Sequence, residues 1–92
     1  MFVQVVHNIS DKGAWTERLA EFAKEESPPE FTLHSSVTSA DGTKAFCLWE
    51  VQSVDALSGF LDGATTGAAQ NTYYAIDENA LATSLPRSTA AR

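Results

Sequence analysis

Two histidines and one cysteine, His7, His34 and Cys47, are the side chains in this sequence best suited to hold a metal ion. Their imidazole and thiolate groups suit nickel, copper or zinc. His34 and Cys47 could also act as base and nucleophile, but no orienting carboxylate or anion-stabilising loop stands beside them to complete such a site. Trp49, Tyr73 and Tyr74 offer flat apolar surface with polar tips, as a pocket for an organic ligand needs. The Tyr74 hydroxyl is the natural donor to a bound carbonyl. Each residue has a plainer use too: Cys47 as a small buried hydrophobe, the histidines bonded locally, the aromatics as core. No two of the metal candidates lie at a recognised ligand spacing, so the fold has to assemble any site. Glu17, Glu21 and Glu25 recur at i, i+4 spacing, which describes a solvated helix face and costs a little helix stability.

The elements that must position these groups follow from pattern. Residues 2–8, FVQVVHN, are β-branched and apolar on both faces, which describes a central strand. Ser10 or Asp11 caps a helix whose stripe is Trp15, Leu19, Phe22 and Ala23, and Ser27-Pro28-Pro29 ends it. Residues 30–38 form a second strand and 44–51 a third, joined through Asp41-Gly42, a hairpin signal. Ser53 caps a second helix with Val54, Leu57, Phe60 and Leu61 buried, and Gly63 stops it. Gly59, in mid-helix, fits a close approach to the sheet. Residues 64–70 describe a loop, 71–76 a fourth strand, and Asp77 caps one turn through Ala80. The order β-α-β-β-α-β predicts an α+β, ferredoxin-like domain over 1–80, with a four-stranded antiparallel sheet and two helices on one face. Residues 81–92 are expected to form a tail.

A two-residue turn at Asp41-Gly42 pairs Leu33 with Glu50, Ser35 with Leu48 and Val37 with Phe46. On the other face it pairs His34 with Trp49 and Ser36 with Cys47. Leu33, Val37, Phe46 and Leu48 then suit the helices, and Glu50 goes with them. Cys47, Trp49, His34 and Ser36 are left on the open face, where exposed apolar groups mark a contact surface. A face-to-face homodimer would enclose them in a cavity. His7 joins them if the Val3-Val5-His7 face points the same way; otherwise Phe2, Gln4 and Val6 do.

A chain of 92 residues is one domain, short enough that oligomerisation would add useful burial. The formal net charge of −6 and the absence of a Lys/Arg cluster argue against nucleic acid as a partner. No apolar run approaches a membrane span, residues 1–9 lack a basic leader region, and one cysteine excludes an internal disulfide. A cytoplasmic setting is expected.

The architecture resembles the dimeric α/β-barrel superfamily, which includes antibiotic-biosynthesis-type monooxygenases and stress-responsive barrel proteins. The segment FCLWEVQSVDAL also resembles one in a family of short bacterial nickel-binding proteins, through Phe46, Cys47, Leu48, Glu50, Val51, Asp55, Ala56 and Leu57. The resemblance implies a homodimer and nickel or another divalent transition metal as cofactor. Together these readings predict a metal or small-ligand site at the dimer interface. The metal ligands would be His7, His34 and Cys47; the ligand-binding residues would be His34, Trp49 and Tyr74. A cofactor-independent monooxygenase or isomerase is the second expectation, and a non-catalytic structural protein the third.

Overall fold

A computed structural model describes residues 1–24, 28 and 30–87 of the chain. Its elements run β1 (Phe2–Ile9), α1 (Lys12–Lys24), β2 (Thr32–Thr38), β3 (Lys44–Glu50), α2 (Val54–Ala64) and β4 (Ala69–Ala75). All strand pairs are antiparallel, in the order β2-β3-β1-β4. This is the expected ferredoxin-like α+β topology, with β1 and β3 central. Glu25, Ser27 and Pro29, and the tail beyond Arg87, lie outside the described residues; no helix or strand is assigned from Ile76 to Arg87.

Local chemistry sets the element ends. Asp11 accepts the Ala14 N–H at 3.0 Å, so it serves as the α1 cap. Ser53 does the same for α2 through Ala56. The β2–β3 connection is longer than the two-residue turn expected. It spans residues 39–43, with Gly42 N–H donating to Ser39 C=O at 2.9 Å and Gly42 at φ 74°. Asp41 is the staple of this loop. One of its oxygens accepts the hydroxyls of Ser39 and Thr43 and the Thr43 N–H, and these bonds pull its pKa down to about 2. Asp77 accepts from Asn79 N–H, and its carbonyl from Ala80 N–H, forming the expected turn.

The expected pairing holds from Ser35 to Thr38, where Ser35 faces Leu48, Ser36 faces Cys47 and Val37 faces Phe46. It then shifts: Leu33 faces Trp49 and Thr32 faces Glu50, with an irregularity at His34. The extra residue re-aims the side chains on one flank of the strand. Leu33 and Ser36 therefore both reach the helix side, although an unbroken strand would put them on opposite faces.

The two sheet faces are the reverse of those expected. Val3, Val5, Cys47, Trp49 and Val51 pack with Leu57 and Leu61 of α2, and Phe60 sets its ring edge-on to Trp49 at 6.4 Å. Cys47 and Trp49 therefore lie under the helices. Phe46 and Val37 are exposed on the open face, with Leu48 partly buried beside them. The physical reason lies in β1. Its Val3-Val5-His7 face is fully buried and pairs row by row with Trp49, Cys47 and Ala45, so those residues share the helix side. Full burial of side chains such as Val3, Val5, Leu57 and Leu61 contributes roughly 1.5–3 kcal/mol each. Gly59 does not sit against the sheet either: a Cβ built there meets nothing within 4 Å.

Candidate functional site

Between the sheet and the helices lies a partly open pocket of about 40 Å³. The sheet supplies His7 from β1, Leu33 and Ser36 from β2, and Cys47 and Trp49 from β3. The helix side supplies Trp15, Leu19 and Phe22 from α1, Leu61 from α2, and Thr65 just beyond it. No Asp, Glu, Lys or Arg lines it among the described residues. A pocket of this size admits a few water-sized groups, whereas drug-sized ligands occupy roughly 300–1,000 Å³.

Its polar atoms are few and well defined. The indole Nε1 atoms of Trp15 and Trp49 are buried and have no hydrogen-bond partner among the described residues. The two side chains are 5% and 2% exposed. Buried indole N–H groups ordinarily find an acceptor. The His7 ring lies 4.8 Å from an indole ring of Trp15, centroid to centroid. Cys47 donates its thiol hydrogen to Ser36 Oγ at 3.3 Å, and burial pushes the thiol pKa up, which keeps it protonated.

His7 is held by a network on the helix side of β4. Its Nδ1 bonds Asn71 Oδ1. Asn71 Nδ2 donates to Thr65 Oγ1 at 2.8 Å and to Asp62 Oδ1 at 3.1 Å. Thr65 donates its own hydroxyl to Leu61 C=O, and Tyr73 donates to Asp62 at 2.7 Å. Burial pushes the His7 pKa down, against a smaller opposing contribution from Asn71, and this favours the neutral ring. Burial and the Asp62 carboxylate push the Tyr73 hydroxyl pKa up.

The residues singled out from sequence divide between the two faces. His7, Cys47 and Trp49 come together in the pocket. His34 lies on the open face, where its Nε2 meets Glu50 Oε1 at 3.0 Å and its ring lies 5.4 Å from Phe2. Tyr74 is on that face too, opposite Gln4 in the sheet. His7, His34 and Cys47 thus do not converge, and among the described residues no group of three or more His, Cys, Asp or Glu side chains is placed to hold a metal. His34, Trp49 and Tyr74 do not line one cavity, because Trp49 points to the other side of the sheet. Glu50, assigned to the helix side from sequence, is instead the partner of His34. Trp15, Asn71 and Thr65 were not picked out as site residues. Trp15 reads as an ordinary member of a helix stripe, and only its lack of a partner sets it apart. The one available signal for Asn71 is its alternation with Tyr73 on one face of β4.

No helix of the described residues is long and apolar enough to cross a membrane. Neither proteins of curated function nor solved structures give a match to this chain. The match that is found covers residues 2–83, nearly the whole chain. The chain belongs to the family described as Domain of unknown function (DUF8652).

Proposed function

We propose that this chain binds a small, neutral organic molecule in the pocket between its helices and its sheet. The observation that carries this reading is the apolar pocket itself, walled by Trp15 from α1 and Trp49 from β3, whose buried indole N–H groups have no partner among the described residues. A buried donor without an acceptor costs about 1–3 kcal/mol, a large fraction of a small domain's stability. An occupant that shifts the rings enough for its acceptor atoms to reach them would offset that cost. The absence of charged lining residues among those described favours a neutral molecule. Leu19, Phe22, Leu33 and Leu61 favour one with an apolar body. The test is a titration of ¹⁵N-labelled protein with acetone, a small neutral acceptor, followed through the Trp15 and Trp49 indole N–H resonances. Both should move in a saturable way, and the Trp49→Phe variant should bind more weakly. Indole resonances that stay fixed up to the solubility limit would refute the reading.

Homodimerisation through the open sheet face is the second part of the proposal. It is favoured by Val37 and Tyr74, 60% and 54% exposed on a face that neither helix covers, with Phe46 directly opposite Val37 and Leu48 in the row of Tyr74. A reducing, cytoplasmic setting is consistent with Cys47 as a free thiol.

A further inference from the structure

We infer, resting on the pocket reading above, that the ligand enters hydrocarbon end first. It is a short neutral aliphatic compound whose terminal alkyl group of about three carbons fills the pocket, while its polar end stays at a mouth between α1 and the edge strand β2. The mouth is set by exposure. Trp15, Cys47, Trp49 and Leu61 are buried in the pocket wall. Leu19 and Phe22 of α1 are half-buried, and Leu33 and Ser36 of β2 are exposed. The pocket therefore opens between these two elements. β2 ends the sheet order, so no further strand among the described residues closes this flank. The irregularity at His34 brings Leu33 and Ser36 to the same side, and together they form the β2 lip of the mouth.

The interior is fitted for carbon. Its polar side chains already have partners: Cys47 bonds Ser36, Thr65 bonds Leu61 C=O and Asn71, and His7 Nδ1 bonds Asn71. Both indole nitrogens are buried, so the tryptophans present ring carbon to the space. An ordered water needs roughly 2–4 polar partners, which this wall does not supply, so the space stays dry. Hydrocarbon that fills it displaces no held water and takes apolar surface out of solvent. An acceptor atom reaches an indole only after the rings move, whereas an alkyl group fits the space as it stands. A volume of about 40 Å³ holds about three water-sized groups, so the fourth carbon of a chain already lies at the mouth. There the polar end meets Ser36 and solvent and keeps its hydration.

Two measurements on the whole chain, ¹³C- and ¹⁵N-labelled, test this without any variant. The first is titration with methanol, ethanol, propan-1-ol, butan-1-ol and pentan-1-ol, with acetone as reference. It is followed through the Leu19, Leu33 and Leu61 methyl and the Trp15 and Trp49 indole resonances. Affinity should rise about fourfold per carbon from methanol to propan-1-ol, the worth of one buried CH₂, and by less than about twofold per carbon beyond it. An undiminished gain through pentan-1-ol overturns the three-carbon limit. Flat affinity from methanol to propan-1-ol, with acetone still bound, overturns the hydrocarbon assignment and leaves the pocket reading standing. If neither acetone nor any alcohol moves these resonances, both fall. The second measurement is the set of intermolecular NOEs from bound propan-1-ol. Its methyl group should contact Leu61 and Trp49, and its CH₂OH group Leu33. The reverse order would put the polar end inside and overturn the inference.

Discussion

His7 stays neutral in the fold because burial disfavours its charged form more than the Asn71 contact favours it. That fixes the sign of a pH effect. The unfolded chain takes up the proton near the ordinary value of 6.5, and the folded chain only at lower pH. The unfolded state therefore binds more protons in between, so the stability tied to this residue is full above about pH 6.5 and is lost as pH falls toward the folded value. Urea denaturation at about pH 7.5 and about pH 5.5 should show a loss of up to about 1.4 kcal/mol per pH unit from this one proton. His7→Gln should flatten the dependence in that window. Asp41, with its pKa near 2, stays ionised there and adds nothing. An unchanged slope in His7→Gln would show that burial does not hold the ring neutral. At this scale the sequence was a partial guide. It singled out His7, Cys47 and Trp49 by chemical type, and these do share a pocket. It grouped His34 with Cys47 and Trp49 because an unbroken β2 puts them on one face, and the irregularity at His34 breaks that alternation without a glycine or proline to announce it.

The elements themselves were legible because each has a local cause: Asp11 and Ser53 as caps, Gly42 in the turn, and the spacing of Leu57 and Leu61. The choice of sheet face was not, because β3 is apolar on both sides. Phe46 and Leu48 look as core-like as Cys47 and Trp49 until β1 is paired with them, and that pairing is long-range. Gly59 shows the same limit. Its place in α2 suggests a tight contact, yet nothing lies within 4 Å of a Cβ added there. Gly59→Ala should therefore stabilise the protein by roughly 0.5–1 kcal/mol, the helix-propensity difference, with no packing cost. Ser53→Ala should act the opposite way, costing about 1 kcal/mol through loss of the Ala56 N–H acceptor. Paired chemical denaturation curves check both. A destabilised Gly59→Ala would mean that α2 sits closer to a neighbour than the structure shows.

On the scale of the molecule, the reversed faces separate two properties that the sequence merged. Cys47 and Trp49 were expected to line a cavity created by dimerisation; under the helices, they belong to a pocket that one protomer builds alone. The proposed dimer face is then a different surface, centred on Val37, Phe46, Leu48 and Tyr74, with the His34–Glu50 pair toward one end. Two such faces meeting would remove apolar surface from water at about 25 cal/mol per Å², and a lysine at the centre would have to be desolvated on both sides. Phe46→Lys should therefore shift sedimentation equilibrium from the dimer to the monomer. Because the Phe46 side chain points away from the pocket, the same variant should bind acetone with wild-type affinity. A wild-type chain that sediments as a monomer at roughly 100 μM, well above ordinary dissociation constants for a specific interface, would reject the dimer. A Phe46→Lys monomer with lost ligand binding would instead show that the pocket needs the second copy, returning the site to the interface.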